Sequence, residues 1–180
     1  MLGLSRCALL LCSVCSVLTP PALGAQDQFF DSHGVQIHYV ERGAGEPIVL
    51  VHGRGESLQS WIDNGVLPDL ASDYRVIAID CRGHGMSGKP HDPKQYGAEM
   101  ALDIVRLLDH LGISRAHIVG YSMGANITSQ LLTVHPERFI TATLGGAAGR
   151  FRWTANQDRF AIAALVRSFG DQVLSPGRGR

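Results

Sequence analysis

A doubly wound α/β sheet, mostly parallel, is the fold class predicted by three features of this chain. Short apolar runs rich in β-branched residues recur at Ile48–Val51, Val76–Ile79 and His117–Val119, as strands do when a sheet is covered on both faces. Segments with helical periodicity alternate with them. The turn Gly120-Tyr121-Ser122-Met123-Gly124 joins one of these strands directly to such a segment. At 180 residues and 45% hydrophobic content the chain supplies one domain with a substantial core rather than a disordered polymer. No internal repeat is visible.

Residues 1–25 stand apart from the rest. Arg6 is their single charge, Cys7 to Leu18 form an apolar stretch of 12 residues, and Pro20-Pro21 break any helix. Ala22-Leu23-Gly24 then offers small residues for cleavage near position 24 or 25, which makes this segment a secretion signal. The apolar stretch is too short to cross a bilayer comfortably. A secreted or periplasmic protein with no membrane partner after cleavage is expected.

The remaining elements follow in order. Val35 to Glu41 alternates apolar and polar residues and predicts a half-exposed strand near the sheet edge. Ala101, Ile104, Val105 and Leu108 fall at helical spacing, with Asp103, Arg106 and Asp109 on the other side; Gly112 stops that helix. Ser122 to His135 is apolar on most faces and predicts a buried helix ended by Pro136. Phe139 to Leu144 reads as a further strand. Ile162, Leu165, Val166 and Phe169 mark a third helix closed by Gly170, and the last six residues read as unstructured.

Charge and cysteine usage exclude some functions. Sixteen basic residues balance sixteen acidic ones, and loss of Arg6 with the signal leaves fifteen against sixteen. Such a chain has no field to gather nucleic acid or an anionic membrane. Cys7, Cys12 and Cys15 leave with the signal, so Cys81 has no partner for an internal disulfide. It reads as a small residue filling space beside the sheet, with a reactive thiol as the alternative. The eight histidines are scattered without metal-type spacing, so neither a metal nor another cofactor is expected.

Three segments carry candidate chemistry. Ser122 sits between Gly120 and Gly124 at a strand-to-helix junction, the arrangement of a nucleophile elbow. Flanking glycines admit a turn that a β-carbon would obstruct, and the Met123 N–H at the start of the helix is one candidate oxyanion donor. His52-Gly53-Arg54-Gly55 leaves the strand Ile48–Val51, and the Arg54 N–H is the candidate second donor. Its guanidinium is either solvated or turned to an anionic substrate group. His52 is expected to fix this turn rather than act as a base. Asp80-Cys81-Arg82-Gly83-His84-Gly85-Met86-Ser87 follows the strand Val76–Ile79 and reads as scaffold held by an internal ion pair.

In this order and at these spacings, the three segments resemble the α/β-hydrolase superfamily, over about Val35 to Leu144. The likeness is strongest to its serine-dependent branch of esterases, peroxidase-like hydrolases, carbon–carbon bond hydrolases and proline iminopeptidases. Asp103 to Gly112 and His135-Pro136-Glu137-Arg138-Phe139 are further family-like stretches. The resemblance implies an α/β-hydrolase core at 26–150 with Ser122 as nucleophile and the N–H groups of Arg54 and Met123 as oxyanion hole. It also implies a small carbonyl substrate and a lid beginning within 151–180. Branches with aspartate at the elbow, the epoxide hydrolases and haloalkane dehalogenases, are disfavoured by Ser122.

The chain departs from that pattern after the elbow. In the family an acid and then a histidine follow the nucleophile on later loops. Here only His135 follows, on the same helix and roughly 20 Å from Ser122 at about 1.5 Å per residue, whereas a general base works within about 3 Å. Asp158 and Asp171 are the only later aspartates, and neither follows a convincing strand. The expectation is a core truncated before the strands bearing acid and base, poorly soluble on its own. A serine hydrolase, incomplete or inactive as these 180 residues, is the leading reading; a non-catalytic binding module and a functionless product are the alternatives.

Overall fold

The computed structural model describes residues 26–146. The expected secretion signal, and the expected lid helix and tail at 151–180, lie outside the described residues. Six strands form one sheet: β1 (Gln26–Ser32), β2 (Val35–Arg42), β3 (Glu46–Val51), β4 (Tyr74–Ile79), β5 (Ala116–Tyr121) and β6 (Phe139–Gly145). Their spatial order is β1-β2-β4-β3-β5-β6. The pairs β4–β3, β3–β5 and β5–β6 are parallel, while β1–β2 and β2–β4 are antiparallel. The helices are α1 (Gln59–Asp63), α2 (Val66–Leu70), α3 (Ala98–His110) and α4 (Met123–Val134).

Alternation along the central strands divides the core in two. Val49, Val51, Ile77, Ile79 and Ile118 face α3 and α4, packing with Ile104, Leu107, Leu108, Ile127 and Leu131. Ile48, Leu50, Val76 and Ala78 face the other way, against Leu58, Leu67 and the partly buried side chains of α1 and α2. Strands covered on both faces must be apolar at successive positions, which is why these runs could be recognised in the sequence.

Three expectations need correction. The strand from Val35 is not half-exposed: Ile37, His38, Tyr39 and Val40 are all buried, because β1 pairs along its whole length. Asp103 is not on a wet helix face; it is 1% exposed and takes two hydrogen bonds from the Arg82 guanidinium. That pair also replaces the ion pair expected inside the 80–87 loop, since Asp80 and Arg82 engage different partners.

The topology positions the site. From β3 the chain proceeds to β4 on one side and later to β5 on the other. Loops leaving the carboxyl ends of β3 and β5 therefore part around a crevice, the usual ligand position in open α/β sheets. The segment 52–56 and Ser122 both lie at that edge, since Val51 and Gly120 are paired in register.

Candidate active site

The strand β5 ends at Tyr121 and α4 begins at Met123, so the chain reverses direction at Ser122. It does so with φ 51° and ψ −106°, a conformation that L side chains rarely adopt. The neighbouring glycines are a steric requirement. A β-carbon on Gly120 would lie 2.4 Å from the Gly124 carbonyl oxygen, and one on Gly124 would lie 2.1 Å from that of Val51. The Ser122 N–H donates to the Gly145 carbonyl at 2.8 Å, and its own carbonyl accepts from Asn126 N–H at 3.2 Å. Ser122 and Met123 are half-buried, at the rim rather than in the core.

Arg54 stands three residues beyond Val51 and Met123 three beyond Gly120, the two residues paired between β3 and β5. Among the described residues, neither the Arg54 nor the Met123 N–H has a hydrogen-bond acceptor. The Arg54 residue is exposed. Its turn is pinned on both sides. The Glu56 carboxylate accepts from Gly53 N–H at 3.1 Å, and the Glu56 N–H donates to the Gly53 carbonyl at 3.3 Å.

His52 is fully buried and both ring nitrogens are engaged. Nδ1–H donates to the Gly53 carbonyl at 2.7 Å, and Nε2 accepts from Cys81 N–H at 3.1 Å. The acceptor-only carbonyl and donor-only amide dictate this neutral tautomer. Burial holds the imidazole pKa below its ordinary value. The ring ties the turn after β3 to the loop after β4, as a turn-fixing residue should. Cys81 is buried as a space-filling residue, and burial pushes its thiol up to about 12.

Asp80 is 1% exposed and holds three donors. Oδ1 accepts from Leu58 N–H at 2.7 Å, while Oδ2 accepts from Met86 N–H and His38 Nδ1–H, each at 2.8 Å. Burial pushes this carboxyl up, but the bonds from Leu58, His38 and Met86 outweigh it and hold the pKa below the usual value.

The remaining histidines lie elsewhere. His84 Nδ1–H donates to the Arg82 carbonyl at 3.3 Å, His117 meets Thr141 and Glu46, and His135 ends α4 beside Glu137. All eight histidines of the chain are among the described residues, and none hydrogen-bonds Ser122. Among the described residues no group of three or more His, Cys, Asp or Glu side chains could hold a metal ion.

Two neighbours of the site escaped sequence reasoning. Glu56, Ser60, Trp61, Asn64 and Tyr121 line a cavity of about 270 Å³ beside the elbow. Tyr121 is 47% exposed. For Tyr121 the sequence offered only its position one residue before Ser122, since its exposure is set by the tertiary fold. Glu56 offered a weaker signal, an acid three residues after a glycine that begins a turn.

Residues 46–174 match the family model described as the alpha/beta hydrolase fold, and this chain belongs to that family. It is 37% identical over 126 residues to the dihydrolipoyllysine-residue acetyltransferase component of the acetoin cleaving system of Cupriavidus necator, covering 68% of this chain and 32% of that protein. It is 39% identical over 118 residues to the 2-hydroxymuconate semialdehyde hydrolase of Pseudomonas sp. strain CF600, covering 64% and 41% respectively. The crystal structure of epoxide hydrolase A from Mycobacterium thermoresistibile is similar with a TM-score of 0.63 and 28% identity, over 67% of this chain and 39% of that one. The chain thus spans only 32% to 41% of the length of these two curated relatives.

Proposed function

We propose that this protein is a serine hydrolase acting on an ester, amide or related carbonyl compound. Ser122 Oγ, passing its proton to a general base outside the described residues, attacks the carbonyl carbon, and the N–H groups of Arg54 and Met123 receive the negative charge that develops on the carbonyl oxygen. Loss of the leaving group gives an acyl-serine, which water then hydrolyses. One observation carries this reading: Ser122 is held at φ 51° between two glycines that admit no β-carbon. Strain of that kind, imposed by the surrounding backbone, is a cost that structure alone gives no reason to keep. Relatives named as hydrolases support hydrolysis as the general class of reaction.

A second reading is a binding module that keeps the family's pocket without turnover. It is favoured by the position of the histidines, none of which bonds Ser122. A fluorophosphonate probe separates the two. Stoichiometric labelling of Ser122, abolished in Ser122→Ala, is the expected result for the hydrolase. A chain that binds small esters yet resists the probe is the binding module. For the N-terminal segment we propose export with cleavage near residue 24 or 25, which terminal sequencing of the exported protein tests.

A further inference from the structure

His38 lies on β2, two strands away from β3, and takes no part in the chemistry proposed above. Its side chain is nevertheless buried to 3% exposure between two carboxylates. Nδ1–H donates to Asp80 Oδ2 at 2.8 Å, and Nε2 lies 3.0 Å from Asp27 Oδ1. Asp80 has little freedom to turn. A β-carbon on Gly85 would sit 1.9 Å from Asp80 Oδ2, so the carboxylate is packed on that backbone. On its other side the His52 Nε2, 4.0 Å from Oδ1, is already occupied by Cys81 N–H. The orientation of this carboxylate is set jointly by that packing and by its three donors. Of these, Leu58 N–H belongs to the segment that carries Arg54.

We propose that His38 is a positioning residue: its bond to Asp80 orients the carboxylate that holds the Leu58 amide, and thereby the Gly53–Ser57 turn with its Arg54 N–H. The chain of contacts runs from β2 to the edge of the crevice through two hydrogen bonds. Near the turn itself the restraints are local, Glu56 on Gly53 N–H and His52 on the Gly53 carbonyl. The far end of the turn rests on Asp80. A buried carboxylate that loses one donor must redistribute its remaining bonds, and the Leu58 amide moves with it. The proposal rests on the reading of Arg54 as an oxyanion donor.

Two substitutions test it in the full chain. The Asn side-chain nitrogen lies two bonds from Cβ, like Nδ1, whereas that of Gln lies three away, like Nε2. His38→Asn thus retains a donor to Asp80, and His38→Gln moves the donor toward Asp27. Amide hydrogen exchange is read at Leu58 and Arg54 against Val49, Ile77 and Ile118, together with the rate of fluorophosphonate labelling at Ser122. For His38→Gln, Leu58 exchange is expected to quicken about tenfold with the sheet amides unchanged. Labelling is expected to slow about tenfold, and His38→Asn to stay within about twofold of the native chain in both readouts. Unchanged Leu58 exchange in His38→Gln, or equal effects of the two substitutions, overturns the proposal. So does a His38→Gln chain that unfolds while His38→Asn remains native, because the contact is then one of global stability. If Ser122 of the native chain does not label at all, the hydrolase reading fails, and the exchange measurement alone decides whether His38 places the turn.

Discussion

Gly124 packs its α-carbon against the carbonyl of Val51, so closely that a β-carbon would come within 2.1 Å of that oxygen and 2.9 Å of the His52 carbonyl. The start of α4 is thereby set directly on the end of β3, which brings Ser122 and the Arg54 turn to one rim. Gly124→Ala is expected to destabilise the fold by about 3 kcal/mol or more, because backbone has to move to admit the methyl group. Gly55 has no neighbour within 4 Å of a β-carbon and only its φ of 76° to satisfy, so Gly55→Ala is expected to cost about 1 kcal/mol. Urea denaturation of the two variants compares them. Equal losses would mean that the close approach to Val51 is not what the elbow glycine provides.

Ser122 bears a side chain at φ 51° and ψ −106°, where backbone strain costs about 1–3 kcal/mol. Ser122→Gly relieves it. The expected outcome is a rise in stability of about 1 kcal/mol together with complete loss of fluorophosphonate labelling, the exchange of stability for activity that strained sites show. Thermal denaturation beside probe labelling checks both. A destabilised variant would show that the hydroxyl supports the fold, and the functional argument from strain would then fall.

Arg82 and Asp103 are each about 2% exposed in their side chains and joined by two hydrogen bonds, Nε to Oδ2 at 2.7 Å and Nη2 to Oδ1 at 2.5 Å. Arg82 also donates to the Gln95 carbonyl. Arg82→Met leaves a buried carboxylate short of its main counter-charge and is expected to cost about 3–5 kcal/mol. The double variant Arg82→Met with Asp103→Leu is expected to recover much of that loss, because no unpaired charge remains. Chemical denaturation of single and double variants gives the coupling. Additive losses would rule out the pair as the reason for both burials.

The same pair shows why only part of this fold could be read in the sequence. The strands β3, β4 and β5 were legible because burial on both faces leaves an uninterrupted apolar record. The segment β1 was not: only Phe30 and Ser32 of its seven residues are buried, so Gln-Asp-Gln-Phe-Phe-Asp-Ser carries no strand period. The helices α1 and α2 have five residues each, too few to show helical spacing. Asp103 was placed on the wrong side because periodicity assigns a carboxylate to water unless a tertiary partner is known, and its partner lies 21 residues earlier in a loop. The Ser122 junction was legible because its glycine spacing falls between an apolar strand and a helical segment. The Asp80 contacts to His38 and Leu58 were not, since they span 42 and 22 residues.

Among the described residues, β6 pairs with β5 on one side and with no strand on the other. Ile140 on this strand is 36% exposed. Unpaired ladder groups beside an apolar side chain are a template for another chain. The 180-residue chain is therefore expected to self-associate with rising concentration, and Ile140→Lys to reduce this, since charge on an edge opposes pairing. Sedimentation velocity over a concentration series measures both. A native chain that stays monomeric and unfolds in one sharp transition contradicts the expectation.

Acid is expected to weaken the fold in two stages, set by His52 and Asp80. Burial holds the His52 pKa below its ordinary value, and the unfolded chain, titrating near 6.5, binds this proton more readily than the native one. The stabilisation from a neutral His52 is complete above about pH 6.5 and is lost as pH falls below it. For Asp80 burial acts upward, but the bonds from Leu58, His38 and Met86 prevail and hold the folded pKa below the unfolded value, which lies near about 3.9. Its contribution is complete above about pH 4 and is lost as pH falls through the lower folded value. Stability measured by denaturant titration should therefore begin to fall below about pH 6.5 and steepen below about pH 4. His52→Gln is expected to flatten the upper stage and Asp80→Asn the lower, each from a less stable starting point. A native chain that gains stability on acidification from about pH 7 to about pH 5 would refute the neutral, hydrogen-bonded His52 on which the upper stage depends.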